Sequence, residues 1–80
     1  MNIIRNTRMK KRIIQKQLAE MIGVSQEYIS KIESDTFVNV TLIEIIKLSK
    51  ALQIDELEVA KYFLDKYNNS YKYEFRGEIA

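Results

Sequence analysis

The sequence contains no cysteine and no histidine. Disulfide frameworks and metal sites built on thiolate or imidazole are therefore excluded, and a reducing compartment suits the chain. Proline is absent too, glycine occurs twice, and no repeat or low-complexity run marks a linker. No apolar run approaches the roughly 20 residues needed to span a bilayer. The opening MNIIRNTRMKKR is basic but too polar for a signal peptide. A cytoplasmic location with no membrane partner is the expectation. Without His, Cys or a glycine-rich phosphate loop, no nucleophile–base pair or metal cluster can be assembled. We therefore expect no enzyme, no cofactor, no metal and no small-molecule substrate.

What is present is a chain of 80 residues, 46% of them hydrophobic, enough for one small helical core but not for a deep internal pocket. The formal net charge is only +2, yet it is unevenly spread. Residues 1–31 carry seven basic side chains against Glu20 and Glu27, whereas residues 32–80 carry six basic and nine acidic ones. Such asymmetry suggests a polyanion partner for the first half, although an ordinary solvated surface would also produce it.

Helix signals recur along the chain. Residues 3–11 suit a helix with Ile4 and Thr7 inward; the break at Arg12 to Ile14 follows with no usual turn residue. Gln15–Ile22 is the next helix, with Leu18, Ala19 and Ile22 on one face, ended by Gly23 in a left-handed conformation. Ser25 can cap a helix running to about Ser34, with Val24 and Ile29 as its hydrophobic staple. Thr41 and Glu44 form a capping box with Val40 and Ile45 as staple, and Asp55, Glu58, Ile54 and Val59 repeat the device. These predict helices at about 42–52 and 56–66. Their inward positions are Leu42, Ile45, Ile46, Leu48, Ala51 and Leu52, then Leu57, Val59, Ala60, Phe63 and Leu64. From Tyr67 the pattern changes. Asn68, Asn69 and Ser70 read as a helix break, and Tyr71, Tyr73 and Phe75 alternate with charged residues as a strand would. Five residues cannot form a stable sheet alone. Three arrangements are open: pairing with a twin across a dimer, loose packing, or disorder.

The stretch Gln15 to Ser34, QKQLAEMIGVSQEYISKIES, carries the functional signal. A small residue at Ala19 allows close helix approach, Gly23 permits a sharp turn, and Ile29 locks the second helix on the first. These offsets are the helix-turn-helix pattern. Burying Val24, Ile29 and Ile32 forces Gln26, Glu27, Ser30 and Lys31 outward. A helix presenting these residues suits the DNA major groove. Gln can pair bidentately with adenine, and Lys31 can donate to guanine acceptors or to phosphate. Glu27 can accept from cytosine or act against wrong partners by repulsion.

The run Ile13–Ser34, with Asn39-Val40-Thr41-Leu42 and Lys47-Leu48-Ser49-Lys50-Ala51-Leu52 after it, resembles the Cro/phage-repressor (XRE-type) helix-turn-helix domain. The resemblance covers about residues 3–60. It implies an all-α, compact five-helix lambda-repressor-like DNA-binding domain with the helix-turn-helix at helices 2–3. We place that domain at residues 1–66 and a short C-terminal tail at 67–80. The implied partners are double-stranded DNA and a second copy of the chain, a homodimer on a two-fold operator acting in transcription regulation. By the same resemblance Gln26, Glu27 and Lys31 would face bases, and Gln15, Ser25, Tyr28 and Ser30 would lie at the DNA backbone. Arg8 and Glu33 would form a shielded structural ion pair. We place the dimer seam on Tyr62, Phe63, Tyr67, Tyr71 and Tyr73.

Three departures from the family pattern stand out. Ile14 occupies a cap position where Thr or Ser is usual, and Arg12 replaces a usual Gly or Asn. The loop Asp35-Thr36-Phe37-Val38 lacks the cations that commonly grip phosphate there, which implies weaker non-specific binding and a shallower salt dependence. Phe37 and Val38 can pack against the third helix or face a partner subunit. Phage-type repressors, restriction–modification controllers and antitoxins share this architecture. The alternative function is a protein-binding module that keeps the fold with weak or no DNA binding.

Overall fold

The computed structural model describes the backbone of residues 2–71 and the side chains of residues 2–69. Five helices follow in order: α1 (Ile3–Lys10), α2 (Gln15–Ile22), α3 (Gln26–Ile32), α4 (Leu42–Leu52) and α5 (Glu56–Tyr71). No strand occurs among the described residues.

Each boundary has a local cause. Asn2 caps α1, its Oδ1 accepting from the Arg5 N–H at 3.0 Å. At the other end Arg12 adopts φ 58°. The Arg12 N–H donates to Met9 O and the Ile13 N–H to Arg8 O, each at 3.0 Å. That is the Schellman pairing around a left-handed residue, normally glycine. The break that lacked a turn residue is thus a full helix stop with arginine in the glycine seat. Ile14 caps α2 without any side-chain acceptor; the reverse bond alone is made, from the Ile14 N–H to Gln17 Oε1 at 2.9 Å. Gly23 takes the left-handed conformation expected of it, φ 76°. The Ser25 hydroxyl accepts from the Tyr28 N–H at 3.1 Å. The box opening α4 is complete, Thr41 Oγ1 accepting from the Glu44 N–H at 3.1 Å and Glu44 Oε1 from the Thr41 N–H at 2.9 Å. Asp55 opens α5 by accepting from the Leu57 N–H at 3.1 Å.

The core joins all five helices: Ile4, Leu18, Ala19, Ile22, Ile29, Ile32, Leu48, Leu52, Val59 and Phe63. Three residues expected inward are not. Leu42, Leu57 and Leu64 are 73%, 75% and 62% exposed. On α5 the inward stripe runs through Val59, Tyr62, Phe63 and Lys66 at helical spacing, and this turns Leu57 and Leu64, seven residues apart, onto a different face. Leu42, in the first turn of α4, overshoots the core. The helix break expected at Asn68, Asn69 and Ser70 is also corrected, since α5 continues beyond residue 66 to Tyr71. These residues disfavour a helix by only a fraction of a kcal/mol each, and extending an anchored helix requires no new nucleus. Tyr71, assigned to a strand, is therefore helical in backbone, while Tyr73 and Phe75 lie outside the described residues. No described helix is long and apolar enough to cross a membrane.

Candidate nucleic-acid interface

Among the described residues, helices α2 and α3 are the most extensively packed pair. Across the turn at Gly23, Leu18, Ala19 and Ile22 of α2 share the core with Ile29 and Ile32 of α3, both wholly buried. Helical geometry then fixes the opposite side of α3: Gln26, Glu27, Ser30 and Lys31 are all exposed. The structure thus brings the three expected base-facing residues together on one outward surface. Ser25 and Ser30 are exposed beside them, the Ser25 hydroxyl occupied in capping α3.

The far end of α3 is held by side chains from distant elements. Arg8 Nε donates to Glu33 Oε2 at 2.7 Å and Nη2 to Oε1 at 3.1 Å, with side-chain exposures of 11% and 5%. The third guanidinium bond runs from Nη1 to Ile13 O at 2.8 Å, so one arginine ties the stop of α1 to the end of α3. Gln15, expected at phosphate, is half-buried at the start of α2 and donates through Nε2 to Glu33 Oε1 at 3.2 Å. Asn2 Nδ2 donates to Glu33 O at 2.8 Å. From α5 the Tyr62 hydroxyl donates to Ile32 O at 3.1 Å, and Lys66 Nζ donates to Ile32 O and Ser34 O, both at 2.9 Å. The Lys66 ammonium also sits 4.4 Å and 4.9 Å from the ring centroids of Tyr62 and Phe63. Burial pulls its pKa down to about 8, with Asp35 opposing the fall. The Tyr62 phenol is pushed up to about 12 by burial and by the charges of Glu33 and Asp35.

Tyr28 leaves the outward surface for the side of α4. Its hydroxyl donates to Glu44 Oε1 at 2.6 Å, and its ring meets Phe37 edge-on, with centroids 5.5 Å apart. Burial, then the bond to Glu44 and that carboxylate's charge, push the phenol to about 12. Phe37 of the loop after α3 is thereby explained: it packs on α3 and the core, while Asp35 and Thr36 are exposed. Among the residues assigned to a subunit seam, Phe63 is 5% exposed and lies in the core. Tyr62 is half-buried with its hydroxyl bonded to α3, and Tyr67 is half-buried on the same helix. The side chains of Tyr71 and Tyr73 lie outside the described residues.

Lys66 and Asn2 escaped the sequence reading. For Lys66 a signal existed: it falls on the Val59–Phe63 stripe, where a basic residue must either be paired or bend the helix away. Asn2 gave none, because a cap and a bond across the molecule look alike in sequence.

Comparison with known proteins agrees with this geometry. A family model described as helix-turn-helix matches residues 4–59. No curated protein and no solved structure matches the chain.

Proposed function

Because the chain belongs to the Cro/C1-type (XRE) helix-turn-helix family of DNA-binding domains, we propose that it is a sequence-specific transcriptional regulator that inserts α3 into the major groove. The observation that carries this is the two-sided character of α3. Ile29 and Ile32 are wholly buried, while Gln26, Glu27 and Lys31 are exposed together on the opposite side. In this reading Gln26 reads adenine, Lys31 donates to guanine or phosphate, and Glu27 accepts from cytosine or rejects other bases. Gln15, Ser25 and Ser30 lie along the DNA backbone. Tyr28, bonded to Glu44, supports α3 from behind.

A single copy reads one short half-site, so the regulator acts as a dimer on a two-fold operator. The support for a seam on α5 is that Leu57 and Leu64 share one exposed face, whereas Phe63 belongs to the core. The rival reading, a protein-binding module, drew on the apolar loop at Phe37 and Val38. Phe37 is accounted for by its packing on Tyr28, which leaves the half-buried Val38 as the remaining support for that reading.

The test is titration of the protein into mixed double-stranded DNA fragments at rising salt, followed by the same titration with substituted chains. Binding weakens with salt, with a slope of about −0.9 per phosphate neutralised; the slope is shallow because the Asp35–Val38 loop offers no cation. Gln26→Ala relaxes preference at one base position, whereas Gln15→Ala weakens all sites alike. Salt-insensitive or absent binding would hand the argument to the protein-binding reading.

A further inference from the structure

Helix α3 is short, Gln26–Ile32, and a helix of so few turns does not hold its own axis in water. Its first turn is held by one hydroxyl, that of Ser25. Its other end is treated very differently. The carbonyls of Ile32, Glu33 and Ser34 lie where a helix leaves acceptors unmet and accumulates partial negative charge. Side chains take all three: Tyr62 and Lys66 at Ile32, Asn2 at Glu33, and Lys66 again at Ser34. Among the described residues, Lys66 is the one donor that bridges two of these carbonyls, and the only one of these donors carrying a positive charge to the negative pole. It is itself held still, with 8% of its surface exposed and its ammonium over two aromatic rings.

We propose that Lys66 is a positioning residue for DNA recognition: by gripping the carbonyls of Ile32 and Ser34 from α5, it sets the angle at which α3 presents Gln26, Glu27 and Lys31. This rests on α3 being the reading helix. Lys66 does not itself reach the outward side of α3, so its effect is on discrimination between sequences rather than on attraction to DNA. A buried charge is a poor source of net stability, because desolvation offsets its bonds. Replacement by an apolar side chain of similar length therefore separates positioning from folding.

The experiment uses the full chain and three forms: the natural one, Lys66→Met and Lys66→Arg. Preferred duplexes are first selected by the natural chain from a randomised double-stranded oligonucleotide pool. Affinities for the selected and a scrambled duplex are then compared, along with the amide resonances of each free protein. Lys66→Met lowers the selected-to-scrambled ratio by about tenfold, within the worth of one good base contact, while affinity for the scrambled duplex and its salt slope hold. Lys66→Arg restores most of the ratio. In the free Lys66→Met protein the amides of residues 26–31 shift while those of α2 stay in place. An unchanged ratio, a loss shared equally by both duplexes, or unmoved α3 amides overturns the proposal. If the natural chain selects no duplex, the DNA-binding reading fails, and the amide shifts alone decide whether Lys66 orients α3. Should Lys66→Met not fold, Lys66→Gln takes its place: it gives up the positive charge at the helix end, so the ratio falls by less than tenfold, and an unchanged ratio or a loss shared by both duplexes overturns the proposal as before.

Discussion

Arg8 spends every part of its guanidinium inside the protein, two bonds on Glu33 and one on Ile13 O. Arg8→Ala would leave the Glu33 carboxylate, 5% exposed, with the neutral Gln15 amide but without its cation, and would free the carbonyl that helps shape the α1–α2 break. Loss of one partner from a buried pair costs about 3–5 kcal/mol, so the variant should melt well below the natural chain. An unchanged melting temperature with DNA binding lost would move Arg8 to the interface instead. Two other residues are poor fits to their seats. Arg12 holds φ 58°, a conformation that costs a non-glycine residue about 1–2 kcal/mol; Arg12→Gly should recover much of this. Ile14 caps α2 with no acceptor, and Ile14→Thr should add about 1 kcal/mol. Urea unfolding of each variant measures both gains. Both seats were visible in the sequence as departures from the family pattern. That Arg12 completes a Schellman stop was not, because left-handed arginine has no sequence signature.

At the level of elements, capping chemistry and hydrophobic staples located α2, α3 and α4 well, since these signals are local: Gly23, Ser25 and the Thr41–Glu44 box act within one turn of where they stand. The last helix was harder. Its end depends on anchorage at Lys66 more than on the weak propensities of Asn68, Asn69 and Ser70, and its inward face depends on which stripe the other helices accept. Leu57 and Leu64 look like core in sequence and are solvent-facing in the fold. The outward surface of α3, the candidate site, was legible for the same reason as the early helices. Once Ile29 and Ile32 are inward, α-helical geometry leaves Gln26, Glu27 and Lys31 nowhere else to go. The exposed pair on α5 belongs to this scale as well. Leu64→Lys should shift sedimentation from dimer to monomer at micromolar concentration while leaving the melting temperature of dilute protein nearly unchanged. A natural chain that sediments as a monomer at every concentration would remove the α5 seam.

For the molecule as a whole, three titrating groups give an alkaline stability profile whose sign can be worked out. Folded, Lys66 releases its proton at about 8; unfolded it holds it to 10.5. Between those values the unfolded chain binds more protons, so stability rises with pH. Tyr28 and Tyr62 act oppositely. Their folded phenols keep protons to about 12 against 10.0 when unfolded, so their contribution is complete below pH 10 and is lost as pH climbs through about 12. The urea midpoint should therefore climb from about pH 8, crest near pH 10 and then fall. Lys66→Met should flatten the climb and leave the fall.

The grip on α3 also has a consequence for the order in which competence is acquired. The residues that complete it lie far from α3 along the chain, with Asn2, Tyr62 and Lys66 separated from their acceptors by 31, 30 and 34 positions. Such distant closures carry a loop-entropy cost that contacts within one helix do not. During synthesis, moreover, α3 emerges well before α5 exists. A nascent chain stopped short of Lys66 holds Gln26, Glu27 and Lys31 in its sequence and lacks the donor to the carbonyls of Ile32 and Ser34. On the proposed reading of α3, discrimination between DNA sequences would wait until the last helix docks and Lys66 reaches the carbonyls of Ile32 and Ser34.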